Sequence, residues 1–219
     1  MEKALEILKN GGVILYPTDT IWGIGCDATN VEAINKIFEI KKREKTKSMI
    51  ILVENERRLQ DLVDVPEMAW QIIDLSEKPV TIVYENPKNL PKEILAEDGS
   101  IGIRLVKDDF CKKLISKLNK PLVSTSANFS GDKSPLKFSD ISQELIDAVD
   151  YAVEENRESV SKYSGSYVIK DWSDGRGKLL SKYAYHRETE VKQRTQSNYF
   201  VFSVFFLVSL CFNLIFAKN

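Results

Sequence analysis

The chain has a single histidine, His186, and three cysteines, Cys26, Cys111 and Cys211, with no pairing or metal-type spacing. One histidine cannot complete a His/Cys zinc site, and scattered cysteines argue against a disulfide framework and for a reducing, cytoplasmic setting. Neither a Gly-x-x-x-x-Gly-Lys-Ser/Thr loop nor a Gly-x-Gly-x-x-Gly fingerprint occurs, so a nucleotide would be held by side chains rather than by a glycine cradle. Charge of either sign is not in excess: 31 Lys and Arg against 32 Asp and Glu leave a net charge of −1. That excludes a basic nucleic-acid-binding surface spread over the whole chain. Met1–Asn10 is charged and has no apolar central stretch, so no secretory leader is expected there.

With 219 residues and 43% hydrophobic content, the chain can bury one sizeable core. Apolar strand-like runs fall at Val13–Tyr16, Met49–Val53, Val80–Tyr84, Ile101–Leu105, Pro121–Val123 and Tyr167–Ile169. Helical patterns alternate with them. Glu2–Lys9 ends at Asn10-Gly11, a natural C-cap, and Asp108–Leu118 carries Phe110, Leu114 and Leu118 on one face. Thr29-x-x-Glu32 reads as a capping box opening a helix with Ile34, Ile37 and Phe38 on its apolar side. This order predicts an α/β sheet covered by helices.

Chemistry concentrates in two places. Ser124-Thr125-Ser126-Ala127-Asn128 follows the buried run Pro121-Leu122-Val123 and precedes a turn at Phe129-Ser130-Gly131. Small polar groups at the carboxyl end of a strand are where open α/β sheets place ligands; the alternative is a loop whose side chains cap their own backbone. If the backbone stays extended, Ser126 and Asn128 share a face. Upstream, Lys41-x-Arg43 closes the helix after Thr29. Its cations either cap the negative end of the helix dipole or turn together into a cleft, where Arg offers a fork and Lys a point charge to phosphate oxygens. A third segment, Tyr16-Pro17-Thr18-Asp19-Thr20, ends the first strand in a turn.

Together, Tyr-Pro-Thr-x-Thr, Lys-x-Arg and Ser-Thr-Ser-Ala-Asn-x-Ser-Gly, in this order, resemble the signatures of the YrdC-like family of threonylcarbamoyl-AMP synthases, over about Gly11 to Leu180. The resemblance implies a single-domain, twisted, open, mixed sheet with helices. It implies a reaction that joins L-threonine, bicarbonate and ATP into L-threonylcarbamoyl-AMP and releases pyrophosphate, with Mg²⁺ arriving on the ATP. Adenylyl transfer of this kind depends on positioning and charge stabilisation, and no protein nucleophile is evident in the sequence. Carried over by motif, Lys41, Arg43, Ser126 and Asn128 are the catalytic and ATP-binding residues, with Ser134 near the nucleotide. Thr18, Arg104, Ser124 and Ser166 are the threonine-binding residues; for Arg104 the bland reading is a surface ion pair with Asp108 or Asp109. No residue is assigned to a protein-bound metal. The implied partner is the machinery that transfers the threonylcarbamoyl group to tRNA. The alternative is an RNA-binding module of the same fold without turnover, using a basic face around Lys41–Lys47.

Several positions depart from the family pattern. Glu44 follows Arg43 where proline is usual, and Ser76-Glu77-Lys78-Pro79-Val80-Thr81 keeps only the second proline and the threonine of a Trp-Pro-Gly-Pro-x-Thr stretch. Gly165-Ser166-Tyr167 replaces a Pro-Ser-Thr/Ser pattern, and Ser181 aligns with a nucleotide-facing arginine for which Arg176 or Lys182 are the candidate substitutes. The expected organisation is a catalytic domain over 1–185, a polar linker over 186–198 and an apolar tail over 199–217. That tail is interrupted only by Ser203, Ser209 and Asn213 and holds six of the ten phenylalanines. Its length suits a C-terminal apolar helix that crosses a membrane, with Arg187, Lys192 and Arg194 holding the body on the cytoplasmic side. A shifted reading frame is the rival explanation.

Overall fold

The computed structural model describes residues 1–44, 49–161, 163 and 165–170, and the backbone of strand 178–181. The linker 186–198, the tail 199–217, Lys45, Lys47, Arg176 and Lys182 lie outside the described residues, as does the side chain of Ser181. Among the described residues no helix is long and apolar enough to cross a membrane.

Helix α1 (Glu2–Lys9) forms as the spacing predicts, burying Ala4, Leu5 and Leu8. Its end is a Schellman turn. Gly12 N–H donates to Ile7 O at 2.8 Å and Gly11 N–H to Leu8 O at 3.1 Å, with Gly11 at φ +77°, a conformation that glycine adopts without penalty. Strand β1 (Ile14–Tyr16) then runs into the Pro17–Thr20 turn and back through β2 (Gly23–Gly25). Helix α2 (Val31–Ile40) is capped by Asn30, whose side chain accepts from Ala33 N–H. The expected Thr29–Glu32 box is absent because Asp27 Oδ1 captures both the amide and the hydroxyl of Thr29, at 2.8 and 2.7 Å. The cap therefore moves one residue on.

Strand β3 (Ile50–Val53), helices α3 (Glu56–Leu62) and α4 (Glu67–Leu75), and strands β4 (Val80–Tyr84) and β5 (Ile101–Leu105) follow. Helix α5 (Asp109–Leu118) is capped by Asp108, which accepts from Cys111 N–H at 2.8 Å, and it buries Cys111, Leu114, Ile115 and Leu118. Phe110, expected on that face, is only partly buried. Asn119 in the left-handed conformation ends the helix. Strand β6 spans Leu122–Ser126, so the serine-threonine cluster is the strand's own end rather than a loop after it. Helix α6 (Gln143–Ala148), β7 (Tyr151–Ala152), β8 (Tyr167–Lys170) and β9 (Lys178–Ser181) complete the described elements.

The sheet is open and mixed, in the order β7-β1-β2-β6-β3-β5-β4-β8-β9. Strands β7/β1, β3/β5 and β4/β8 pair in parallel and the remaining neighbours are antiparallel. Register sorts the side chains into two faces, because directly paired residues point the same way. Leu15, Ile24, Val123, Ile51, Ile103 and Ile82 share the apolar face. The other face carries Gly23, Ser124 and Ser126, Ile50 and Leu52, and Gly102 and Arg104. At Leu52 and Leu122 this second face is fully buried; at Ile50 and Ser126 it is half-buried and opens outward. Tyr16 lies across Gly25, where a Cβ would stand 2.1 Å from Val123 O and 2.8 Å from the Tyr16 ring. Only glycine fits there, and Tyr16 donates its hydroxyl to Val123 O at 3.1 Å.

Candidate active site

Lys41 is the C-cap of α2, and Lys42 (φ +50°) turns the chain left-handed immediately after it. That reversal separates the trio. Lys41 and Arg43 are 0% and 5% exposed, while Lys42 faces solvent, paired with Glu144 at 3.0 Å and lying over the Phe129 ring. The ammonium of Lys41 does not cap its own helix. It donates to Ser126 O and, at 2.5 Å, to Asn128 O, and its backbone carbonyl accepts from Ser130 N–H at 3.1 Å. The end of α2 is thereby fastened to the end of β6. Burial, reinforced by the Arg43 charge and opposed by Asp132, lowers the Lys41 pKa to about 7. Of the expected basic face over Lys41–Lys47, Lys41 and Arg43 are thus buried rather than offered to RNA.

Ser126 and Asn128 do not share an extended face. The chain folds back at Ala127, with Asn128 N–H donating to Ser126 O at 2.9 Å. The Asn128 amide donates to Phe129 O and Asp132 O, at 2.9 and 2.7 Å, holding the following loop. Its Oδ1 is buried without a hydrogen-bond partner among the described residues. Ser134 is half-buried further along that loop, before the buried Pro135. No direct contact joins it to the Lys41–Asn128 group in the hydrogen bonds described.

Arg104 forms a second centre. It is 2% exposed, and its ion pair is with Asp19 at 3.3 Å, not with Asp108 or Asp109. Strand alternation puts Gly102 and Arg104 on the site face, and the guanidinium still lies near enough to Asp108 to act on its charge. Arg104 Nη1 donates to Thr20 Oγ1 at 3.1 Å. Thr20 lies 3.0 Å from Thr18 Oγ1, which donates to Ile21 O at 2.8 Å. The Thr18 hydroxyl is therefore spent inside the turn, and Thr20 is the group that holds the guanidinium. Asp108 is pushed above the usual carboxylate range by burial, with the Asp19 charge adding to it. Ser124 is buried between β2 and β3, its Oγ 3.2 Å from where a Gly23 Cβ would stand. Ser166, just before β8, shares a hydrogen bond of 2.7 Å with Thr81 Oγ1 on β4.

Beside the Pro17–Trp22 turn lies a cleft of about 250 Å³, its far wall built from Asn156 and Ser159–Ser161. That wall is fixed by Arg157 stacked on Phe138 at 4.3 Å, by Trp22 edge-on to the same ring at 4.9 Å, and by Ser161 N–H donating to Leu136 O at 2.7 Å. Thr20, Asp19 and Thr81 were not among the residues singled out from sequence. The lone hydroxyl within the apolar run of β4 and the Thr-x-Thr spacing were the signals available for Thr81 and Thr20. Asp19 carried no signal beyond its place between the threonines.

Comparison with known proteins follows the same lines. The Sua5/YciO/YrdC family model, described as "Telomere recombination", matches residues 6–182. A threonylcarbamoyl-AMP synthase of Pseudoalteromonas translucida is 32% identical over 156 residues, covering 69% of this chain and 83% of that protein. Escherichia coli YciO superposes with a TM-score of 0.71 at 22% identity, over 81% of this chain and 86% of its own. P. abyssi Sua5 complexed with L-threonine superposes with a TM-score of 0.70 at 23% identity. This chain covers 51% of the length of that Sua5 structure. At such identities the two superpositions establish the fold.

Proposed function

Because the chain belongs to the Sua5/YciO/YrdC family, we propose that it is a threonylcarbamoyl-AMP synthase, joining L-threonine, bicarbonate and ATP with release of pyrophosphate. The observation that carries this reading is a pair of buried cationic centres set along one sheet. Lys41 is bonded to the end of β6, and Arg104 lies on the same sheet face two strands away. One centre suits a polyphosphate and the other a carboxylate.

In this mechanism Arg104 receives the threonine carboxylate, with Thr18, Ser124 and Ser166 around the amino acid. Lys41 and Arg43 hold the triphosphate, and Ser126, Asn128 and Ser134 hold the nucleotide. The threonine amine and bicarbonate form a carbamate and water. A carbamate oxygen then attacks the α-phosphorus as the bond to the β-phosphate oxygen breaks, giving the carbamoyl-adenylate and pyrophosphate. The residues contribute placement and charge, which is what adenylyl transfer demands. Mg²⁺ enters as part of the ATP substrate. We assign the activity to residues 1–185, in line with the family match over 6–182. The product, an activated carbamoyl group, is made for transfer by a second protein to tRNA, the first step of threonylcarbamoyladenosine formation, in the cytoplasm.

The test is pyrophosphate release by the full chain from ATP in bicarbonate buffer, with and without L-threonine. Release that requires both threonine and bicarbonate is expected, and it should fall about a hundredfold or more in Lys41→Ala and Arg43→Ala. Near-normal turnover in either variant would refute the site assignment, and release indifferent to threonine would refute the reaction.

A further inference from the structure

The ion pair between Arg104 and Asp19 is badly made for a buried pair. The contact runs at 3.3 Å from Nη2 to Oδ1, yet Asp19 Oδ1 accepts no hydrogen bond and Arg104 Nε donates none, though both atoms are buried. Groups of this kind are costly to leave unsatisfied in the interior. A pair selected only to hold the fold would meet in the parallel two-bond geometry that guanidinium and carboxylate adopt readily. Here the donor and the acceptor stand side by side with one unused site each.

The surroundings add a bias in sign. Asp108, the cap of α5, is close enough for both Asp19 and Arg104 to act on its charge, while among the described residues the ion pair of Arg104 is with Asp19. Thr20 fixes the guanidinium from the remaining side. Asp19 itself lines the cleft beside the Pro17–Trp22 turn and is 12% exposed at its side chain. A ligand entering there meets Asp19, with the buried Arg104 guanidinium 3.3 Å from its carboxylate.

We propose that Asp19 accepts the α-ammonium group of the substrate, so that Asp19 and Arg104 together read an amino acid as a zwitterion. The inference rests on the threonine reading of this site and adds a residue to it. Arg104 alone would admit any small carboxylate of the right shape. With Asp19 opposite, a hydroxy acid or a simple carboxylate leaves the aspartate unpaired and is rejected. The hydroxyls of Ser124 and Ser166 remain for the rest of the molecule.

The experiment is calorimetric titration of the full chain with L-threonine and with (R)-3-hydroxybutyrate, which keeps the carboxylate and side-chain hydroxyl and lacks the ammonium group. Wild type should favour L-threonine by roughly tenfold or more, since a site built around a polar group discriminates against ligands lacking it. Asp19→Asn should lose roughly tenfold or more for L-threonine and bind the hydroxy acid as well as before or better, its carboxylate no longer being repelled. Equal losses for both ligands would overturn the proposal, because they would make Asp19 a holder of Arg104 only. Should Asp19→Asn fail to fold, wild type still decides: equal affinity for the two ligands overturns the proposal. If wild type binds neither and releases no pyrophosphate, the threonine reading falls and this inference falls with it.

Discussion

Lys41 is where a single residue carries most consequence, since a fully buried lysine is uncommon and this one is tied to two backbone carbonyls. Its folded pKa of about 7 lies below the ordinary value of 10.5, so between those two pH values the unfolded chain binds the extra proton. Stability from this group therefore rises with pH across that window and is at its lowest below about pH 7. Ligand binding runs in the opposite sense. A bound triphosphate favours the charged ammonium, so above about pH 7 ATP must bring a proton with it. The dissociation constant for ATP should climb by up to about tenfold per pH unit above that point, with proton uptake visible as a dependence of binding heat on buffer. A flat profile from pH 7 to pH 9, or no proton uptake, would mean that Lys41 stays charged without ligand. Sequence put Lys41 and Arg43 forward as a candidate phosphate pair. It did not reveal that the left-handed turn at Lys42 buries both and turns only the middle cation outward.

Among the elements, β6 does the most to define the site, and it was read too short. Pro121–Val123 looked like the whole strand because polar Ser124-Thr125-Ser126 broke the apolar run, yet those residues pair with Ile50 on one side and with Gly23 and Ile24 on the other. A strand between two neighbours can end in hydroxyls where its outward face lines a cleft, a tertiary circumstance that local pattern does not encode. The same shortfall hid β2, whose Gly-Ile-Gly offers almost no strand propensity and is held by β1 and β6. Alternation along β6 makes a prediction. Ser124 and Ser126 point to one face, two residues and so roughly 7 Å apart, so the proposed amino-acid and nucleotide roles fall next to each other on one strand. Ser124→Ala should raise KM for threonine several-fold and leave KM for ATP nearly unchanged, while Ser126→Ala should do the reverse. Steady-state kinetics with each substrate varied in turn checks this. Parallel changes in both constants for both variants would show that the two serines do not divide the substrates between them.

Over the whole molecule, the order of strands brings distant segments to the site, and this was the least legible level. Composition and alternation gave an α/β sheet, and three ordered motifs gave the family, but pairing of β4 with β8 or β3 with both β5 and β6 depends on contacts far apart in sequence. Sequence placed Ser166 in the threonine pocket by motif alone. In the fold it comes to lie beside Thr81 because Tyr167 N–H donates to Pro79 O at 3.0 Å and Val80 pairs with Tyr167, starting a parallel ladder between segments on opposite sides of β5 in the chain. Thr81, on β4, is completely buried, and among the described residues its hydroxyl makes one hydrogen bond, at 2.7 Å to Ser166. This makes Thr81 a positioning residue. Replacing it with valine keeps the shape and removes the hydroxyl, leaving Ser166 with an unmatched buried oxygen at a cost of about 1–3 kcal/mol. Thr81→Val should therefore lower the urea midpoint and also raise KM for threonine while kcat stays close to wild type, and Thr81→Ser should restore both. A variant that loses stability with an unchanged threonine KM would reduce the bond to a strand-to-strand fastening. A rise in KM reversed by serine would tie β8, through one hydroxyl, to recognition of the amino acid.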